Sequence, residues 1–380
     1  MTTPQDNDLL HDLVRTHGGP DAHGVPRWDF STNANACGPA PMAQEMLRQV
    51  DARRYPDPSF TVLRRQLGRL HQVDPARIVI AASASEFIRR MTLAIAMLKP
   101  GARVQVPDHA YGEYAAAAQA LGLQPRRAAE LADGEPPYLI WHTDPSSPSG
   151  EVGPLPAFDP TDSVLVVDRA YAPLRLDGEL TPVPPDAWQL WSPNKALGLT
   201  GVRGAYAIAP ERGPITGELV DWLLLQMERL APSWPLGAHG VAMLTAWTSD
   251  EAQAWVRASL HILRSWRRQQ IDLCQRQLGW TCRASATPYY LARWAHGDEA
   301  AHAADAHPLH PDRLLPELRT LGLKLRDCRS MGLPGWVRVS VQAPPAQQAL
   351  SQLWRQVLGS AGFSPTLRTD LQPLPAFSSY

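Results

Sequence analysis

Residues 192–209 read Ser192-Pro193-Asn194-Lys195-Ala196-Leu197-Gly198-Leu199-Thr200-Gly201-Val202-Arg203-Gly204-Ala205-Tyr206-Ala207-Ile208-Ala209: a lysine, an arginine eight residues on, and then a short apolar run. The run Gly204–Ala209 is the last of a series of short, largely apolar, strand-like runs. RIVIAA (77–82), ARVQV (102–106), YLIW (138–141), SVLVV (163–167) and WQLW (188–191) precede it, with helical or turn-rich stretches between several of them. That alternation predicts a mostly parallel sheet covered by helices. Helices are expected over Phe60–Gln72, with Val62, Leu63, Leu67 and Leu70 on one face, and over Phe87–Leu98. From Leu219 to Leu278 the periodicity is helical, and strand signals return near Leu323–Leu325 and Trp336–Val341. The expected architecture is therefore α/β, a large domain with a mostly parallel sheet plus a smaller α+β domain. The expected boundaries are an N-terminal arm over 1–45 that joins the small domain, the large domain over 46–250, the small domain over 251–363 and a fraying tail, rich in Pro and Ser, over 364–380.

Composition narrows the partners. The chain has 380 residues, enough for a sizeable core. Its 36 Lys+Arg balance 37 Asp+Glu to a net charge of −1, so there is no global field for nucleic acid or for an anionic membrane, and a small-molecule partner is favoured. Cys37, Cys274, Cys282 and Cys328 lack metal-ligand or CxxC spacing, which points away from a metal site and towards a reducing cytoplasm. The N-terminus MTTPQDNDLLHDLV has no apolar core of a leader, and Met91–Leu98, the longest apolar stretch, is too short to span a bilayer. No GxGxxG follows the first strand, and GxSxG and P-loop patterns are absent. The 13 Trp and 37 Pro, with Trp234 and Pro235 in LAPSWPLGAHG, leave a non-enzymatic binding surface as the competing class.

Three segments hold complementary chemistry. Lys195 offers an amine that can condense with a carbonyl and later move a proton at a substrate carbon. Asp168 ends the apolar run VLVV, where a buried strand end can present a carboxylate to a ring nitrogen. Ser192, Arg203 and the Ser83-Ala84-Ser85 turn ahead of a helix can hold a phosphate through hydroxyl, guanidinium and backbone N–H groups. Amine, acid and phosphate cradle together describe a site for pyridoxal 5'-phosphate.

Seven stretches carry a family resemblance over roughly Asp29–Val357: DFSTNANACGP (29–39), RYPDPSFTVLRRQL (54–67), SASEFI (83–88), DPSSPSG (144–150), VVDRAY (166–171), residues 192–209 and LPGWVRVSV (333–341). Their order and wording resemble the class I/II aminotransferases of the aspartate aminotransferase-like fold, nearest to the histidinol-phosphate aminotransferase and threonine-phosphate decarboxylase branch. The resemblance implies a homodimeric enzyme in which Lys195 is the Schiff-base lysine, Asp168 meets the pyridine nitrogen and Tyr171 donates to the phenolic oxygen. Ser192, Arg203, Ala84 and Ser85 then hold the phosphate, Tyr111 stacks on the ring, and Tyr55 reaches the phosphate in the other subunit. Arg338 is implied as the clamp of the substrate α-carboxylate, with Asn35 and Arg326 beside a second anionic group.

The chain departs from the family pattern at three places. Ser147 stands where an asparagine normally reaches the phenolic oxygen, leaving Tyr171 as the main donor. Arg169 replaces the glutamate of the usual Asp-Glu-Ala run, and Ser83 replaces a common glycine. Thr16-His17-Gly18-Gly19 with Asp29-Phe30-Ser31, and Leu325-Arg326-Asp327-Cys328-Arg329-Ser330-Met331-Gly332-Leu333-Pro334, resemble runs of the decarboxylases, and on them His17 joins the expected substrate site. The cofactor labilises the α-carbon bond that stands perpendicular to its ring, so substrate placement selects the reaction. The expected reaction is decarboxylation of L-threonine O-3-phosphate in cobalamin biosynthesis, with histidinol-phosphate or other amino-acid transamination as the alternative.

Overall fold

A computed structural model of the chain describes residues 17–131, 136–213, 216–294, 309–360 and 362. The expected tail over 364–380 and the first sixteen residues of the expected arm lie outside the described residues. Thirteen strands occur among the described residues: β1 (Trp28–Asp29), β2 (Ile78–Ala81), β3 (Arg103–Val106), β4 (Gln124–Arg127), β5 (Leu139–Thr143), β6 (Val164–Asp168), β7 (Trp188–Trp191), β8 (Ala205–Ile208), β9 (Trp280–Cys282), β10 (Tyr289–Trp294), β11 (Leu323–Lys324), β12 (Arg326–Asp327) and β13 (Val337–Ser340). Seven of them form one sheet in the order β2-β8-β7-β6-β5-β3-β4. Within it β7-β6-β5-β3-β4 pair in parallel, and β8 alone runs antiparallel to both its neighbours. β2, β6 and β8 are buried along their whole length, because helices cover both faces and no alternation with polar residues is required.

One core layer lies where the sheet meets the helices Ala84–Leu98, Glu113–Ala120 and Gly217–Arg229, with Phe87, Ile88, Met91, Tyr114, Trp141 and Leu223 all but excluded from water. Each such large side chain contributes about 1.5–3 kcal/mol of burial. The other layer runs from Phe30 through Tyr206 and Trp247 to Trp354 and joins the large sheet to the C-terminal elements. Among the described residues no helix is long and apolar enough to cross a membrane, and the four cysteines carry free thiols.

The helical stretch over 219–278 resolves into Gly217–Arg229, Ala238–Trp247 and Asp250–Asp272 with a terminal π-turn at Leu273–Gln277. Four strands escaped the sequence pattern: β1, β4, β9 and β10. β9 and β10 form the edge and interior of a four-stranded antiparallel sheet ordered β12-β13-β10-β9. β10 is covered on nearly every residue, so it lacks the period-2 signature, and its main partner β13 lies some 45 residues downstream. The stretch expected as one strand at Leu323–Leu325 is instead a switch point: β11 pairs in parallel with β1, and β12 passes into the four-stranded sheet.

Candidate active site

The parallel strands β5, β6 and β7 end at Thr143, Asp168 and Trp191, and their carboxyl ends open into one cavity of ≈ 470 Å³. That is where an open parallel sheet offers a crevice, and the volume suits a small cofactor with its substrate. Thr143, Asp168 and Ser192 line its floor.

Asp168 is 8 % exposed and held by two donors: the Tyr114 hydroxyl to Oδ2 at 2.7 Å and the Ala170 N–H to Oδ1 at 2.8 Å. Burial pushes its carboxyl above the ordinary carboxylate range, and these two hydrogen bonds and the Lys195 charge pull the other way. Tyr114 was not among the expected site residues. It is fully buried, stacks on Trp141 with centroids 5.0 Å apart and meets Tyr111 edge-on at 6.2 Å. The only signal for it in sequence is its place three residues after Tyr111, one turn along the same helix start.

Lys195 reaches the cavity from a loop braced on several sides. Its Nζ lies 3.3 Å from Ser192 Oγ and 5.4 Å from the centre of the Tyr171 ring. Ser192 Oγ donates to Asn194 Oδ1 (3.0 Å), and Asn194 Nδ2 donates to the Val202 carbonyl at 3.3 Å, which closes the loop between the lysine and Arg203. Gly198 sits at φ +68° with its Cα close to the Gly38 carbonyl; an added Cβ would lie 2.6 Å from that oxygen, so the lysine loop accepts glycine there. Arg203 and Lys195 line the same wall as the start of helix Ala84–Leu98. That helix is capped by Ser83, whose Oγ accepts from Glu86 N–H at 3.1 Å, while Glu86 Oε2 accepts from Ala82 N–H at 3.1 Å. Its first turn at Ala84 and Ser85 therefore faces the cavity with the positive end of the helix, and Ser85 Oγ shares a 3.2 Å hydrogen bond with Tyr111.

The opposite wall is cationic. Arg338 on β13 is buried; its Nη2 donates to the Ser31 carbonyl at 2.8 Å, its Nη1 donates to Ser147 Oγ at 3.1 Å, and its Nε has no partner. Ser147, at the position of the family asparagine, thus engages the guanidinium. Arg326 stands opposite Arg338 across the β12–β13 pairing and is held by Ser330 Oγ at 2.9 Å and the Asp327 carbonyl at 2.7 Å. His17 lies 6.1 Å from the Tyr111 ring, and burial together with the charges of Arg326 and Arg338 lowers its proton affinity while Glu113 opposes them.

One expected site residue is elsewhere, and Tyr55, expected in the other subunit's site, lies outside the cavity of its own chain. Asn35, expected on the substrate side, points away from the cavity: its Nδ2 donates to the Ala196 carbonyl (3.0 Å) and to Ser259 Oγ (2.8 Å), and its N–H donates to the Lys195 carbonyl at 2.9 Å. It braces the lysine loop. Asn33 lines the cavity instead, 3 % exposed, with both side-chain amide atoms buried and unpartnered. A regular strand would keep Asn33 and Asn35, two residues apart, on one face; this stretch instead bends, with Asn35 Oδ1 accepting from Cys37 N–H at 3.1 Å, and the bends send the two side chains apart. Tyr55 is 78 % exposed, outside the cavity of its own chain, stacked on Trp234 with ring centres 4.3 Å apart. Arg169 meets Asp144: the buried Asp144 carboxylate lies 3.6 Å from Arg169 and 3.4 Å from Arg175, so the arginine in the family's glutamate position finds a counter-charge in the turn that carries Ser147.

A parallel sheet with a lysine, a buried acid and an anion-binding helix start at its carboxyl end defines an enzyme that works through a phosphorylated carbonyl cofactor. The chain belongs to the aminotransferase class I and II family, whose model matches residues 28–356. The chain is 28 % identical to the histidinol-phosphate aminotransferase of Paracoccus denitrificans over 343 residues, 82 % of this chain and 84 % of that one. It is also 28 % identical to that of Roseobacter denitrificans, over 87 % of this chain and 92 % of the relative. Among solved structures, L-threonine-O-3-phosphate decarboxylase from Porphyromonas gingivalis shares the fold with a TM-score of 0.70 at 18 % identity, covering 87 % of this chain and 99 % of that chain. Histidinol-phosphate aminotransferase from Sinorhizobium meliloti, solved with pyridoxal-5'-phosphate, gives 0.69 at 19 % identity, covering 95 % of each chain. The cofactor of the family is pyridoxal 5'-phosphate, and the residues fit it: a buried acid, an unpartnered buried amide and a cationic helix start face one cavity with a lysine amine.

Proposed function

We propose that the protein is a transaminase for a small amino donor that carries an anionic group beside its amine-bearing carbon, of the histidinol-phosphate type. The observation that carries this reading is the fixed Arg338: with one Nη tied to Ser147 and the other to Ser31, the guanidinium is held in one plane, facing the cavity that Lys195 and Asp168 share. A transaminase requires a substrate anion held in a fixed plane so that the Cα–H bond is the one exposed to reaction. The curated relatives over most of the chain, all named for transamination, support the same choice.

Bound in this cavity, pyridoxal 5'-phosphate supplies an electron sink for the bond broken at the substrate α-carbon. The Lys195 amine would hold the cofactor and would move the proton at that carbon. Asp168 holds a proton on the ring nitrogen, Tyr171 donates to the phenolic oxygen, and Tyr111 covers one ring face. Ser192, Arg203 and the N–H groups of Ala84 and Ser85 hold the phosphate, Asn33 offers its free amide to the bound pair, and Arg326 with His17 receives the second carboxylate of a dicarboxylate amino acceptor. Tyr55, presented at the surface beside Trp234, suits a reach into the site of a second subunit, so the working unit is a homodimer; the free thiols of the four cysteines suit a reducing cytoplasm. The division into an arm, a large domain over 46–250 and a small domain over 251–363 is part of the same reading.

Decarboxylation of threonine phosphate is the second reading, favoured by the HGG and RDC runs, which the fold brings to one wall through His17 and Arg326. The test is cofactor-loaded protein given histidinol phosphate with 2-oxoglutarate, or threonine phosphate alone. Glutamate from the first is expected; CO2 from the second, with no glutamate, would replace transamination by decarboxylation.

A further inference from the structure

The segment that carries His17 is fastened in part by Asp21, Arg319 and Lys324, which do not line the cavity. Residues 17–24 form a strap laid against the loop 29–32: a Cβ on Gly18 would sit 2.2 Å from the Ser31 carbonyl oxygen, and Gly19, at φ +86°, donates its N–H to Ser31 Oγ at 2.8 Å. The strap closes on itself through reciprocal backbone hydrogen bonds between Asp21 and Gly24 of 3.2 and 2.8 Å. Asp21 then fastens it to a segment 298 residues away. Arg319 forms a bidentate pair with its carboxylate, Nε to Oδ2 at 2.9 Å and Nη2 to Oδ1 at 2.8 Å, and also donates to the Gly24 carbonyl at 2.8 Å. Lys324 adds a 3.0 Å contact to Asp21 and a 2.7 Å hydrogen bond to the Gly19 carbonyl. Lys324 ends β11, and Arg326, two residues on, begins β12 beside Arg338.

We propose that Asp21 is a positioning residue that sets specificity for a second anionic group: by locking the strap to Arg319 and Lys324 it holds His17 beside Arg326. The inference rests on the two-anion reading of the cavity given above. Without the Asp21 carboxylate the strap keeps the ties of Gly19 to Ser31 and Lys324 but loses the bidentate pair with Arg319, and through Gly18 and Gly19 His17 becomes less firmly placed on that side of the wall. Arg338 keeps its own ties to Ser31 and Ser147 and is unaffected, so an anion bound only there should not sense the change.

The test uses the full-length, cofactor-loaded enzyme and two competitors read by the absorbance change of the bound cofactor. Butyrate presents one carboxylate, to Arg338; glutarate presents that carboxylate and a second one for the Arg326–His17 side. In the unmodified enzyme glutarate should bind more tightly than butyrate. Asp21→Ala should weaken glutarate by about tenfold, the loss of one charge-assisted contact, and leave butyrate where it was. His17→Ala should do the same, the double variant should lose no more than either single one, and Asp21→Glu should recover most of the affinity. Glutarate binding no tighter than butyrate in the unmodified enzyme would overturn the two-anion reading and this proposal with it. A glutarate preference that survives Asp21→Ala, an equal loss for both competitors, or additive effects in the double variant would overturn the role of Asp21 while leaving that reading intact.

Discussion

The floor of the cavity and its cationic wall are built in different ways. The floor takes Ala84, Ser85, Asp168, Ser192, Lys195 and Arg203 from the strand ends and loops of one sheet, all within about 120 residues. The wall takes His17, Asn33, Arg326 and Arg338 from segments more than 300 residues apart, joined where β1 pairs with β11 and β12 with β13. A floor made by neighbouring parallel strands is rigid by construction and suits a cofactor common to a family. A wall assembled from the chain's two ends can change with few consequences for the sheet, and it is the part that can choose the substrate.

The largest expected effect belongs to the floor. Lys195→Ala should lower turnover by about 10⁴-fold, as loss of a residue with both covalent and proton-transfer roles does, with little change in melting temperature. A loss as large from a wall substitution would break the distinction. At the wall, Arg338→Lys keeps the charge but removes the bidentate fork, and the KM for the amino donor should rise roughly 10- to 100-fold with kcat changed less. Steady-state kinetics separates the two parameters.

Tyr114→Phe probes the floor from beneath. It keeps the stacking on Trp141 but removes one of the two donors to Asp168, whose carboxyl burial already pushes up. The carboxylate becomes easier to protonate, so the acid limb of the kcat profile should move to higher pH and kcat should fall about three- to tenfold near neutrality. The smallest effect is on stability. His71 packs against Trp191 and shares a 2.7 Å hydrogen bond with the Tyr206 hydroxyl, whose oxygen accepts from Trp247 at 3.0 Å, and burial lowers its pKa to about 4. The unfolded chain protonates this histidine near its ordinary value of about 6.5, before the folded one does, so stability should decline by roughly 1–3 kcal/mol as pH falls from about 6.5 towards about 4. His71→Gln should flatten that decline in melting-temperature measurements across the window.

Much of the floor was legible before the fold was known. Lys195, Asp168 and Arg203 stand in short runs whose strand-then-turn character places them at strand ends, and adjacent parallel strands must bring such ends together. Tyr114 was not legible, because its partner is 54 residues away and nothing in its own helix shows which side chain it meets. The wall was legible only in its motifs. Asn35 and Asn33 exchanged places because the bends of that segment, with Asn35 Oδ1 accepting from Cys37 N–H, turn apart two side chains that a regular strand would keep on one face.

The chain by itself determined a mostly parallel sheet covered by helices, the lysine–acid–arginine set and the balance of charge, because each follows from local periodicity or from residue chemistry. Only the tertiary structure decided that β9 and β10 exist, that Ser147 serves Arg338, that Asp144 answers Arg169, and that Asp21 ties His17 to the segment of Arg326. Those contacts join residues far apart in sequence, and which of many chemically equivalent partners meet is fixed by packing geometry that no local pattern encodes.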